Sequence, residues 1–298
     1  MNLKYHIVNE NQIKTFIPDL RSMEKNIEYP LEDGTESFFI DHGKDYSPFF
    51  TQQGYKTRFL IITNKDKVAG SIAGVWKRIS FNEKTYNALY ASDLKLKPKY
   101  RNKGIVKNFL WYLFIRWPFT KEFQGWDFIY FCAMQRENKG VESTFKGVHL
   151  GKLTKPNCLL NIYILESHEF NSIDLDELLY SPEHEINLSP NLNGDILWND
   201  GKKNIVSTKD GSILKLGHLN PEAFHLNNKE RLKKSIKKGS GRKDGKICFA
   251  VDCRNKKLIN ALSKGGVHTD TKCRVFSFSP FSRPLDYAHT VSISTGEI

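Results

Sequence analysis

The sequence predicts a mixed α/β (α+β) protein, with a mostly antiparallel central sheet flanked by helices and a second, smaller unit of the same kind after it. Three observations predict this. Three β-type segments follow one another between Arg58 and Leu96, separated by short polar turns. A helical period replaces them after Pro98. A strand–helix–strand unit from the middle of the chain is echoed near its end. The chain has 298 residues, which at roughly 100–200 residues per domain favours two domains. A hydrophobic fraction of 39% supplies a core.

The elements follow in order. Ile13, Phe16, Ile17 and Leu20 have helical spacing, and Pro18 splits or kinks that helix. An irregular stretch runs through Gly54. Arg58–Thr63, Val68–Ser80 and Tyr86–Leu96 then read as an antiparallel meander, with turns at 64–67 and 82–84. Val106, Phe109, Leu110, Leu113, Phe114 and Trp117 fall on one face of a helix, which Pro118 ends. Asp127–Met134 reads as a buried strand, 138–146 as a short helix and 157–165 as another strand.

The second half repeats this order. Ile129–Lys139 resembles Ile247–Lys256: each is a strand followed by Arg, Asn and Lys and then a helical stretch. The two helical stretches end in Lys146-Gly-Val-His149 and Lys264-Gly-Gly-Val-His268. A repeated supersecondary unit changes the expected fold. Residues 1–165 are expected to form one domain, 166–195 an acidic linker and 196–298 a degenerate second copy. In that copy 201–219 would supply hairpin strands. Asn220-Pro221 would open the counterpart helix and Gly239 would end it.

The formal net charge of +12 is uneven. Ile164–Asp200 holds nine acids and no Lys or Arg, and Gly201–Lys246 holds thirteen basic residues against four acids. The basic helix in this second block, with Lys229, Lys233 and Lys237 at every fourth position, is expected to face solvent or pair with the acidic linker. Nucleic acid remains a weaker partner reading. No apolar run reaches the ~20 residues that span a bilayer, and the N-terminus lacks a signal-peptide core. Five cysteines without a CxxC pair suit a reduced, cytoplasmic chain. Cys248, Cys253, His268 and Cys273 lack the spacing of a zinc module, so no metal and no membrane partner is expected.

Chemistry is expected at 93–110. There a strand runs into a short basic turn, and a helix starts near Gly104. The first amides of a helix have no internal partner and, with the macrodipole, favour an anion. Gly104 permits close backbone approach, and Lys99, Arg101, Lys103 and Lys107 add positive charge. A pyrophosphate cradle and a basic helix start with nothing bound fit this pattern equally well.

Arg101-Asn-Lys-Gly104-Ile-Val106 resembles the Arg/Gln-x-x-Gly-x-Gly/Ala signature of the GNAT superfamily of N-acetyltransferases, with Val106 departing at the last position. Three strands before it, a helix and a strand after it and Asn138 beyond extend the resemblance to about residue 165. The resemblance implies acetyl-CoA or another acyl-CoA as co-substrate. It implies main-chain contacts to the CoA arm at Leu94 and Leu96. It implies a pyrophosphate site at Arg101, Asn102, Lys103, Gly104, Ile105 and Val106, and a further contact at Asn138. The family's Tyr, which protonates the departing thiolate, is replaced by Phe145. His149 is a candidate acid in its stead, and Asp93 a candidate base for the incoming amine. The expected function is transfer of an acyl group from CoA to a small-molecule or peptide amine. The alternatives are an aminoacyl-tRNA-dependent transferase of tandem-GNAT type and a non-catalytic module that binds CoA or nucleic acid.

Overall fold

The structure, a computed structural model, describes residues 2–30, 37–135, 153–192, 194–242, 245–280 and 282–298. Among these residues the strands of the first half are β1 (Leu3–Val8), β2 (Tyr29–Pro30), β3 (Ser37–Asp41), β4 (Lys56–Asn64), β5 (Lys67–Phe81), β6 (Lys84–Leu96), β7 (Phe128–Gln135) and β8 (Lys155–Glu166). Those of the second half are β9 (Glu185–Asn187), β10 (Ile196–Trp198), β11 (Asn204–Ser207), β12 (Ile213–Leu214), β13 (Leu216–Leu219), β14 (Lys246–Asp252), β15 (Lys272–Phe278) and β16 (Thr290–Ser292). The α-helices are α1 (Ile17–Glu24), α2 (Pro48–Thr51), α3 (Ile105–Arg116), α4 (Lys229–Ser240) and α5 (Lys256–Lys264).

The expected meander is β4–β5–β6, each pair antiparallel. Its two faces carry different cores because side chains alternate along a strand. Phe59 and Ile61 of β4 face the cluster that holds Leu20 and Met23 of α1. Leu60 and Ile62 face Ile105 and Phe109 of α3. Pro18 does divide the N-terminal helical stretch: a 3₁₀ turn covers Gln12–Phe16, and α1 begins beyond it with Pro18 in its first turn.

The main sheet has ten strands in the order β1-β4-β5-β6-β7-β15-β8-β14-β13-β10. The strand portions of the two echoed segments, as far as Gln135 and Asp252, lie on β7 and β14. The strand that follows each of them crosses to the other half. β8 pairs with β14, β15 pairs with β7, and β8 and β15 pair with each other antiparallel at the centre. Each half therefore completes its hydrogen-bond ladder with a strand from the other.

Two expectations need correction. Asn220 does cap a turn, accepting from the Glu222 amide at 3.0 Å, but that turn is a 3₁₀ segment that stops at Phe224. The counterpart helix α4 starts at Lys229 and runs through Gly239 to Ser240. In α3 the inward face is Ile105 and Phe109, whereas Phe114, expected on the core face, is 64% exposed.

The acidic stretch pairs with the second half's cations: Lys229 with Asp176 at 2.5 Å, Arg231 with Asp195 at 2.7 Å, Lys264 with Glu177 at 3.0 Å and Arg242 with Asp200 at 2.5 Å.

Residues 291–297 are all buried. Lys77 of β5, itself fully buried, donates to Glu297 at 2.8 Å and to the Leu188 carbonyl at 3.1 Å. Its ammonium lies 4.8 Å from the Tyr90 ring centroid, and Tyr90 Oη donates to the Glu297 carbonyl at 2.7 Å. A buried pair costs desolvation, and losing one partner strands the other charge. Lys77→Met should therefore destabilise by roughly 3–5 kcal/mol in urea unfolding, and Lys77→Met/Glu297→Met should recover most of that loss. A single variant no worse than the double would show that the pair does not anchor this segment.

Candidate functional site

The site begins where β6 leaves β7. These two strands run parallel and pair only at Ala88–Phe128, Leu89–Ile129 and Tyr90–Tyr130. Beyond Tyr90, β6 keeps its partner β5 on one side. On the other side, among the described residues, it has no ladder partner from Ala91 to Leu96, while β7 continues on β15. Backbone N–H and C=O groups need partners when they are shielded from water. A strand edge without a ladder partner is thus a template for an extended ligand carrying amides.

A β-bulge marks the parting. Ser71 pairs with Lys95 and Ala73 with Ser92, so Asp93 and Leu94 together oppose Ile72. Asp93 has φ +56°, in the left-handed region that a non-glycine residue rarely occupies. The extra residue inverts the alternation downstream of it. Leu94 becomes 38% exposed, and Lys95, flanked by two leucines, becomes buried.

Lys95 enters a buried polar cluster. Its ammonium donates to Glu24 Oε1 at 2.6 Å and to Asp93 Oδ2 at 2.9 Å. Tyr46 Oη donates to Asp93 Oδ2 at 2.7 Å, and Tyr46 also has a left-handed backbone, φ +57°. Burial lowers the pKa of His42 against the pull of Asp93 and Glu24. Its Nδ1–H then donates to Glu24, 2.5 Å away, because a carboxylate only accepts. Burial alone would raise the Asp93 pKa, but Lys95, His42 and the two hydrogen bonds hold it below the usual carboxylate range. Burial opposes the charge on Lys95 too, and Asp93 and Glu24 overcome it to raise its pKa. Glu24, His42 and Asp93 bring ligand atoms within 4.8 Å of one another, a grouping that could suit a metal ion. Lys95 supplies the cation instead.

Past β6, a turn carries Arg101, Asn102 and Lys103, all exposed, to Gly104. Asn102 has φ +58° and Gly104 φ +68°. Arg101 Nε donates to the Leu96 carbonyl at 3.1 Å, which ties the turn to the end of the free edge. The first intrahelical bond of α3 runs from the Asn108 amide to the Gly104 carbonyl, 3.0 Å, so the amides at 105–107 precede it. Nothing lies within 4 Å of where a Gly104 Cβ would stand, which leaves the backbone open to an approaching group. Ile105 is buried beneath the turn, and Val106 is half-buried.

Asp93, Leu94, Leu96 and the 101–106 turn are thus brought together along one continuous path from strand edge to helix start. Asn138, Phe145 and His149 lie outside the described residues.

The sequence reading missed Glu24, His42, Tyr46, Lys95 and Lys203. Lys203 Nζ donates to the main-chain oxygen of Ile298 and lies 4.9 Å from the Phe49 ring centroid. Burial lowers its pKa to about 8, with Asp93 pulling it up and Lys95 pushing it down. No sequence signal marks it, since Asn199-Asp-Gly-Lys-Lys203 reads as an ordinary polar turn.

The second half has a parallel pair of the same length: β13 meets β14 at Leu216–Lys246, Gly217–Ile247 and His218–Cys248. At that point His218 Nδ1 is 2.9 Å from Thr295 Oγ1. The residues leading into α4, His225-Leu-Asn-Asn228, include no glycine.

No family model matches this sequence, and no curated protein matches it. Solved structures do. The chain is similar to Saccharomyces cerevisiae N-myristoyltransferase with bound myristoyl-CoA, at a TM-score of 0.55 and 10% identity over 97% of this chain and 84% of that one. It is similar also to a tandem GNAT protein from the clavulanic acid biosynthesis pathway, at a TM-score of 0.50 and 9% identity over 95% of this chain and 100% of that one. At such low identity the likeness concerns architecture alone. The chain has the fold of the GNAT N-acetyltransferase superfamily.

Proposed function

We propose that this chain is an acyl-CoA-dependent N-acyltransferase that moves an acyl group from CoA to an amine. The observation that carries this reading is the free edge of β6 leading through the Gly104 turn into the bare amides of α3. The edge suits the two amides of a pantetheine arm, and the helix start suits a pyrophosphate. Arg101, Asn102, Lys103, Gly104, Ile105 and Val106 would hold the phosphates, with Leu94 and Leu96 offering main-chain groups to the arm. In this reading residues 1–165 form the CoA-binding unit and 196–298 a related unit without a phosphate turn.

The chemistry follows from that placement. A β6 amide near the bulge polarises the thioester carbonyl. The acceptor nitrogen attacks the carbonyl carbon; the N–C bond forms, the C–S bond breaks, and the amine proton must leave. Asp93 was the base expected from sequence. Its carboxylate already accepts from Tyr46 and Lys95, which help hold its pKa down, and this suits it to fixing the bulge. Lys203, with its pKa lowered by burial to about 8, is the better proton acceptor in this reading, because roughly a tenth of it is neutral at pH 7 and about half at pH 8. The departing thiolate takes its proton from solvent or from residues beyond those described. The aminoacyl-tRNA alternative loses support from α4, whose Lys229, Arg231 and Lys238 face acidic partners within the chain.

Two experiments test this. Saturating acetyl-CoA should raise the melting temperature, since a ligand at about 100 times its Kd adds roughly 2.7 kcal/mol. Gly104→Glu should remove the shift, because it places a carboxylate at the phosphate site on a backbone that disfavours any side chain. No shift with acetyl-CoA or longer acyl-CoAs at millimolar concentration would sink the reading. Second, kcat/KM for an aromatic amine acceptor, itself neutral over the whole range, should rise with pH through an apparent pKa near 8, as Lys203 loses its proton. Lys203→Met should flatten that rise, and an unchanged profile in the variant would assign the base elsewhere.

A further inference from the structure

Helix α3 turns apolar side chains outward as well as inward. Ile105 and Phe109 fill the core beneath it. On the opposite side Trp111 is 56% exposed, Phe114 64% and Ile115 63%, and Phe119, just past the helix, is 85% exposed. At 100° per residue Trp111, Phe114 and Ile115 form one stripe along the helix. Single exposed apolar residues need no explanation, but a contiguous run of large ones does.

The stripe has a cationic border. From Lys97 to Trp126 the sequence holds Lys97, Lys99, Arg101, Lys103, Lys107, Arg116 and Lys121 against one acid, Glu122. Lys103, Lys107, Arg116 and Lys121 are exposed. Among the described residues, no salt bridge engages any of these seven cations, in contrast to Lys229 and Arg231 of α4 and Lys264 of α5. Trp and Phe rings bordered by Lys and Arg are the composition of a segment that lies in the headgroup region of an anionic bilayer. A second copy of this chain fits the face less well. A two-fold interface sets each patch against itself, which would bring the two unpaired cationic borders together.

We propose that the outer face of α3, extended through Phe119, is a peripheral docking surface for anionic membranes. The sequence analysis expected no membrane partner because no segment can span a bilayer, and no helix among the described residues is long and apolar enough to do so. Interfacial docking needs no such segment. It needs the apolar stripe to insert and the cations to meet lipid phosphates and carboxylates. The inference is independent of the acyltransferase reading, although the two share a helix. The Gly104 turn lies at the N-terminal end of α3 and the stripe along its outer side.

The test is co-sedimentation of the full chain with vesicles of phosphatidylcholine and phosphatidylserine in a three-to-one ratio, beside vesicles of phosphatidylcholine alone. Binding to the mixed vesicles is expected, with little to the neutral ones and a loss on raising the salt concentration. Trp111→Gln/Phe114→Gln should abolish binding. Arg116→Glu/Lys121→Glu should weaken it by at least about fivefold for each cation removed. Unchanged melting curves would show that the variants fold. Equal binding by wild type and both variants would overturn the proposal, and so would failure of the wild type to bind anionic vesicles. A concentration-dependent dimer that Trp111→Gln/Phe114→Gln converts to monomer, without vesicle binding, would overturn it in favour of a contact between copies.

Discussion

The Lys95 ammonium is the interaction on which the candidate site depends. It bridges Glu24, on the helix that covers one face of the sheet, and Asp93, in the bulge of the strand that carries the site. A non-glycine residue in the left-handed region costs on the order of 1–3 kcal/mol and persists only when its surroundings over-determine it. Here Asp93 is held by Lys95 from one side and Tyr46 from the other, and Tyr46 is itself left-handed. With Lys95 in place, the bulge turns Leu94 outward and leaves the β6 edge without a partner among the described residues. Without it, two buried carboxylates would face each other uncompensated, a loss that buried ion clusters tolerate poorly.

The exchange of β8 and β15 at the centre of the sheet couples the two halves. Neither half closes its ladder alone, and the segment ending in Glu297 threads between them to reach Lys77. The halves nevertheless differ in chemistry. The first has a glycine turn and, before and along its first long helix, cations that no salt bridge engages among the described residues. The second has a glycine-free approach to α4, whose cations are matched by Asp176 and Asp195. The net charge of +12 is thus met unevenly: Lys229, Arg231, Lys238 and Arg242 have acidic partners within the chain, while among the described residues no salt bridge engages the cations around α3.

Much of this was legible in the sequence where local rules decide. The polar turns at 64–67 and 82–84 delimit β4, β5 and β6 to within a few residues, and Pro98 and Pro118 bracket α3. The strand portions of the echo of Ile129–Lys139 in Ile247–Lys256 fell on β7 and β14. What escaped was set by tertiary context. Lys95 between Leu94 and Leu96 reads as an outward residue, and one extra residue at Asp93 reverses that. The stretch before Gly54 looks irregular because its aromatics do not alternate. Yet Tyr46, Phe49 and Phe50 are all buried around His42. Phe114 fits the core period of α3, yet it points away from the sheet. Lys203 gives no local signal at all, since its lowered pKa comes from burial and from Lys95, against the pull of Asp93, both more than a hundred residues away in the chain.

The central claim is that one path, from the free edge of β6 to the bare amides of α3, receives the CoA portion of an acyl donor. Backbone amide NMR during titration with a non-reactive CoA analogue tests it most directly. The account predicts shifts and protection from exchange at the amides of 91–96 and 104–107, with residues 229–231 at the start of α4 unmoved. Perturbation concentrated at α4, or none along β6, would contradict it.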